Sequence, residues 1–89
     1  MRGTRDTSRA ALQMMIESGA AGMQQARVLL YLRRKHRALT RNEIAEAMGI
    51  RLSAICGRVN ELLKSRLLTE LPRRPCRITG VNAHPVMAA

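Results

Sequence analysis

The chain has 89 residues, 46% of them hydrophobic, yet Tyr31 is its only aromatic, so one small core must be filled by aliphatic side chains and methionine. Sixteen Lys and Arg against six Asp and Glu give a formal net charge of +10, which points to a polyanionic partner. Two cysteines and two histidines, far apart, exclude a disulfide framework and a recognised zinc pattern, and six scattered carboxylates with no nucleotide-binding or hydrolase motif speak against an enzyme. No cofactor and no metal is expected. No apolar run approaches the roughly 20 residues of a membrane span, and the polar start Met1-Arg2-Gly3-Thr4-Arg5-Asp6 predicts a cytoplasmic protein with no membrane partner.

Residues 1–7 read as a flexible basic arm carrying Arg2 and Arg5. An amphipathic helix is predicted from Thr7 or Ser8, either hydroxyl serving as N-cap, with Leu12, Met15 and Ile16 on one face. Gly19 ends it and Ala20-Ala21-Gly22 forms a joint, so 8–22 make one unit. Met23 to His36 is the strongest helical run, with Met23, Ala26, Leu29 and Leu30 near one face. Arg33, Arg34, Lys35, His36 and Arg37 gather at its end. There they complement the helix dipole in solvent or touch phosphate, and the sequence leaves both readings open.

Thr40-Arg41-Asn42-Glu43 is a capping box, opening a short helix that turns Ile44, Ala45 and Met48 inward and stops at Gly49. A further helix is predicted from Arg51–Ser53 to Ser65, with Ile55, Val59, Leu62 and Leu63 at helical spacing. Leu67–Leu71 and Cys76–Val81 read as two strands, and Pro72-Arg73-Arg74-Pro75 as the turn between them, giving a β-hairpin with two arginines at its tip. Residues 82–89 have no periodicity and read as a disordered tail.

Helix, glycine turn, helix and hairpin in this order resemble the winged helix-turn-helix family. The segments Leu39-Thr40-Arg41-Asn42-Glu43-Ile44-Ala45-Glu46-Ala47-Met48-Gly49-Ile50 and Ser53-Ala54-Ile55-Cys56-Gly57-Arg58-Val59-Asn60-Glu61-Leu62-Leu63-Lys64-Ser65-Arg66-Leu67-Leu68 are similar to the MarR-type patterns LT-x-x-E-[IL]-A-x-x-x-G-[IL] and V-x-x-x-[VL]-x-x-L-x-x-x-G-L-[IL]. The resemblance implies a mainly α fold, a three-helix core plus wing over 23–81 with an extra N-terminal helix. Two positions depart from the pattern. Arg51 stands where Ser or Thr usually caps the recognition helix, so Ser53 is a substitute cap that would start the helix later. Arg66 stands where Gly is usual, so it must take a left-handed conformation or alter the turn.

A helix whose core face is Ile55, Val59, Leu62 and Leu63 shows solvent Arg51, Ser53, Ala54, Gly57, Arg58, Asn60, Glu61 and Lys64. In a helix-turn-helix this side enters the major groove. Arg58 has the fork to read guanine, and Asn60 reads adenine if the helix is rolled toward it. Arg51 and Ser53 suit contacts near the helix start, with Thr40 and Arg41 beside them at the start of the preceding helix. Lys64 continues the basic side, and Ala54 and Gly57 are small enough for close approach. Gly57 costs roughly 1 kcal/mol inside a helix, and either DNA or a crossing helix is the reason for it. Arg73 and Arg74 at the tip, supported by Arg77, suit phosphate or a minor groove, although a charged hairpin also guards a sheet edge.

The leading expectation is a basic, sequence-specific double-stranded-DNA-binding regulator of transcription. It would act as a repressor by occupying an operator, and the resemblance implies a homodimer to which residues 8–32 contribute, the alternative being that the N-terminal helix covers the open side of its own core. The alternative is a small phage or mobile-element protein whose winged helix binds and inhibits a host protein or nucleic-acid complex. The scarcity of aromatics argues against RNA as the target.

Overall fold

A computed structural model describes residues 3–89, with side chains from Arg9 onward. The described elements are α1 (Gly3–Glu17), α2 (Ala20–Lys35), α3 (Arg41–Met48), α4 (Leu52–Lys64), β1 (Leu68–Glu70), β2 (Arg74–Pro75), β3 (Asn82–Ala83) and β4 (Val86–Ala88). The mainly helical winged architecture with an additional N-terminal helix is present.

The N-terminal expectation needs correction. The helix starts at Gly3, so residues 3–7 are not an arm and Thr7 and Ser8 lie inside the helix rather than at its cap. No proline or glycine interrupts 4–17 to stop it. Met1, Arg2 and the side chain of Arg5 lie outside what is described. The joint is also shorter than expected. Gly19, at φ 107°, turns the chain, and α2 starts at once with Ala20.

Gly22 is therefore a helical residue, and its use is close packing. A Cβ there would run into the Met15 carbonyl oxygen and the Ser18 hydroxyl, which itself donates to Met15 O at 2.8 Å. Gly22→Ala is expected to force α1 off α2 and to lower stability by about 1–3 kcal/mol in a urea melt, the cost of overpacking a tight contact.

The core is built from Ala26, Val28, Leu29 and Leu32 of α2, Ile44 of α3, Ile55, Val59 and Leu62 of α4, and Leu39, Leu68 and Val86. Met23 and Leu30 of α2, expected near the inner face, are instead exposed. The capping box forms as expected, with Thr40 Oγ1 accepting from the Glu43 N–H at 3.2 Å and Glu43 Oε1 accepting from the Thr40 N–H at 3.0 Å. Gly49 closes α3 at φ 68°. α4 starts at Leu52, so Arg51 holds the N-cap position without a described side-chain bond and Ser53 is not the cap. At the other end the Arg66 N–H donates to Leu63 O and the Leu67 N–H to Leu62 O, closing a Schellman motif. Arg66 occupies its left-handed position at φ 63°, where glycine would be unstrained.

The wing is longer than expected and its turn lies elsewhere. β1 pairs with β4 (Thr69 opposite Met87) and β2 with β3 (Arg74 opposite Ala83), so 68–75 runs out and 81–88 returns. The tip is the loop 77–80, closed by the Cys76 N–H donating to Val81 O at 2.9 Å and by Gly80 at φ 77°. Pro72 and Pro75 are extended residues on the outgoing limb, a place where a missing N–H is tolerated. Residues 82–89 are thus half of the wing rather than a disordered tail. Val86 is buried in the core and bridges Leu39 on its other side, with Val86 N donating to Leu39 O at 2.8 Å and Leu39 N to Val86 O at 2.9 Å.

Candidate nucleic-acid interface

Buried Ile55, Val59 and Leu62 fix which side of α4 faces out. At 100° per residue the opposite stripe is Ser53, Gly57, Asn60 and Lys64. Ser53, Asn60 and Lys64 are exposed, as is Arg51 at the N-cap, while Ala54 lies half-buried at the edge. A Cβ on Gly57 would meet no described atom within 4 Å. Gly57 therefore does not serve a helix crossing, and the space above it is open to an incoming surface.

Arg41, the first residue of α3, joins this stripe. Its Nη2 donates to Asn60 Oδ1 at 2.8 Å, and its Nη1 stands 3.8 Å from Glu70 of β1. The bond fixes the Asn60 carboxamide and leaves its NH2 group pointing away from Arg41. Arg41 thereby draws the start of α3, the middle of α4 and the base of the wing into one polar surface.

Arg58 is not on that surface. It is only 18% exposed and leans toward α2, with Nε and Nη2 donating to the Glu61 carboxylate at 2.9 and 3.0 Å and Nη1 to Gln24 Oε1 at 3.2 Å. Gln25 donates to the same carboxylate at 3.0 Å. The Arg58 hydrogen bond holds the Glu61 carboxyl below its ordinary range. All three guanidinium nitrogens are engaged, so the expected fork for guanine is occupied within the protein.

Arg74 and Thr40 are likewise turned inward. The Arg74 guanidinium grips the 6%-exposed Glu43 side chain with two bonds, Nη2 to Oε1 at 2.6 Å and Nη1 to Oε2 at 2.8 Å, and Nη2 also donates to Ala38 O at 3.0 Å. The Arg77 N–H donates to Glu43 Oε2 at 2.8 Å. Buried Thr40 shares a 3.0 Å hydrogen bond with buried Cys76. The capping carboxylate of α3 thus doubles as the clasp of the wing. The Arg74 bond, with the amides of Arg77 and Thr40 and against the cost of burial, lowers the Glu43 pKa from 4.5 to about 2. The sequence signal for this clasp was the capping box itself. What it lacked was a reason to look 31 residues ahead.

Arg73 and Arg77 remain exposed, but not where the sequence put them. Arg73 sits on the outgoing limb, its Nε donating to His84 Nε2 across the hairpin at 3.3 Å. Arg77 opens the tip loop and is not on the return strand. Ile78 and Val81 near the tip are exposed as well. Cys56 is half-buried on the flank of α4. Among the described residues no group of three or more His, Cys, Asp or Glu is placed to hold a metal, and no helix is long and apolar enough to cross a membrane.

The predicted residues on the outer stripe of α4 are therefore Ser53, Gly57, Asn60 and Lys64, joined by Arg41 through Asn60, with Arg51 at the N-cap and Ala54 at the edge. Arg73 and Arg77 lie on the wing, and Arg58, Arg74 and Thr40 serve the fold. A protein-family model described as MarR family matches residues 22–75, more than half of the chain, from α2 through the outgoing limb of the wing. No curated protein and no solved structure shows a significant match to the chain.

Proposed function

The chain belongs to the MarR family, and from that premise we propose that it is a sequence-specific double-stranded-DNA-binding regulator of transcription that represses by occupying its operator. α4 enters the major groove, and the basic wing lies along phosphates or the adjacent minor groove. The observation carrying this reading is the outward stripe of α4. It offers a hydroxyl, an oriented carboxamide and an ammonium around a glycine with open space above it, on a chain of net charge +10. Exposure of Met14 and Ile16 of α1 and of Met23 and Leu30 of α2 leaves apolar side chains uncovered on the N-terminal helices. It supports pairing with a second copy, which would place two α4 helices in successive turns of the groove.

Selection of bound fragments from a random duplex library tests the reading. A palindromic consensus is expected. On it, Asn60→Ala should cost about 1–3 kcal/mol and relax preference at one base pair. Lys64→Ala should weaken all duplexes alike and make the slope of log K against log[salt] shallower by about 0.9, from about −4.5 if roughly five phosphates are neutralised. Equal, poor binding of selected and random duplex at physiological salt would move the function to a protein partner, as in the inhibition of a host enzyme by a small phage protein.

A further inference from the structure

The limb of the wing and the segment leading into α3 enclose a cleft of about 410 Å³, lined by Arg37, Ala38, Leu39, Arg74, Pro75 and Arg77. Three arginines meet there, and no described acidic side chain lines the cleft. Glu43 neutralises Arg74 from behind through two hydrogen bonds. Arg37 and Arg77 are both exposed, and among the described residues neither pairs with a carboxylate. Arg37 and Arg77 both line this partly apolar hollow, whose lining includes buried Leu39, and an oxyanion bound by both would offset their like charge. The backbone of Arg77 is fixed in advance, because its N–H is held by Glu43 Oε2 at 2.8 Å. Arg34 and Lys35, exposed in the last turn of α2, precede Arg37 in the chain and add to its positive charge.

We propose that this cleft is a phosphate seat in which Arg37 and Arg77 hold one phosphate group, supplied in the complex by the duplex backbone. The chemistry fits two guanidiniums, each presenting N–H groups in a fork that matches phosphate oxygens. The seat adds Arg37, which stands outside both the helix-turn-helix and the wing, to the surface that neutralises nucleic acid. The choice of the duplex as the source of the phosphate rests on the DNA-binding reading. The seat itself does not.

The test uses the full chain and the variants R37Q, R77Q and R37Q/R77Q. These side chains are exposed and the Arg77 N–H bond to Glu43 is retained, so thermal melts should match the wild type. The selected duplex is titrated across salt concentrations. Pyrophosphate is titrated separately into 15N-labelled protein without DNA. For a duplex phosphate, the double variant should lose about tenfold in affinity at moderate salt, with a slope shallower by about 0.9 and unchanged base preference. An unchanged slope with saturable pyrophosphate shifts at Leu39 and Arg77, lost in the double variant, would overturn the duplex as source and keep the seat for a free phosphate compound. Absence of both effects would overturn the seat. If the wild type binds no duplex at all, the DNA reading fails, and the pyrophosphate titration alone decides the cleft.

Discussion

Glu43→Ala is expected to destabilise the protein by roughly 3 kcal/mol at neutral pH, the largest effect of any exchange outside the hydrophobic core. The size follows from the carboxyl's pKa, about 2 in the folded chain against an ordinary 4.5. A carboxylate whose pKa is depressed by folding contributes almost fully above pH 4.5, contributes less as the pH falls, and contributes nothing once the pH is well below 2. Urea melts of the wild type should therefore lose roughly 3 kcal/mol between pH 5 and pH 2 through this group, and the alanine variant should lack that part of the acid limb. Glu43→Gln should fall between them, because a carboxamide still accepts from the Thr40 N–H but no longer carries the charge that Arg74 and the Arg77 N–H are arranged to meet. Arg74→Ala should cost less than Glu43→Ala. Its side chain is one-third exposed, and two amide donors would still hold the carboxylate. Equal stability of wild type and Glu43→Ala at pH 7 would show that the clasp is incidental. In a domain of this size a loss of 3 kcal/mol is a large part of the total.

The same cluster shows what periodicity reveals and what it cannot. Thr40, Glu43, Gly49 and the stripe Ile55, Val59, Leu62 are local devices. Each is defined by neighbours within one or two helical turns, and each stands as the spacing predicts. In the sequence Arg74 and Arg58 read as exposed, because both lie on segments whose polar side is expected to face solvent. Arg58 is four residues before Leu62 and three after Ile55, which puts it on the flank of the core stripe, and Glu61 stands three residues on, within reach of a salt bridge. Those offsets are legible in the sequence and place Arg58 beside the core rather than over a groove. The two prolines that bracket Arg73 and Arg74 point to a turn there, whereas the chain reverses at Gly80, where a positive φ is required. The closing strand was missed for a different reason. Three residues, Val86–Ala88, are too few to show a period of two, and their pairing with Leu68–Glu70 and Leu39 is set by contacts distant in sequence.

Gly57→Ala should raise stability and lower DNA affinity together. The new methyl has no described atom within 4 Å, so folding gains the helical preference of alanine over glycine, up to about 1 kcal/mol. The same methyl stands between Ser53, Asn60 and Lys64, at the point where α4 would come nearest the groove floor. Lifting the helix there lengthens every neighbouring contact at once. An affinity loss of about tenfold is expected for alanine. For Gly57→Leu a loss of about a hundredfold or more is expected, equivalent to two base or phosphate contacts at 1–3 kcal/mol each, with the fold intact. Circular dichroism melts and fluorescence anisotropy on the same samples separate the two effects. A residue kept for packing would give the reverse pattern, with stability falling and binding following it. If alanine and leucine both bind the selected duplex as tightly as the wild type, the outer stripe of α4 is not what meets the nucleic acid. The glycine then stands in an exposed helix at a cost that nothing nearby requires. Opposite signs for stability and binding are the pattern expected of a surface kept low for a partner that is not part of the fold.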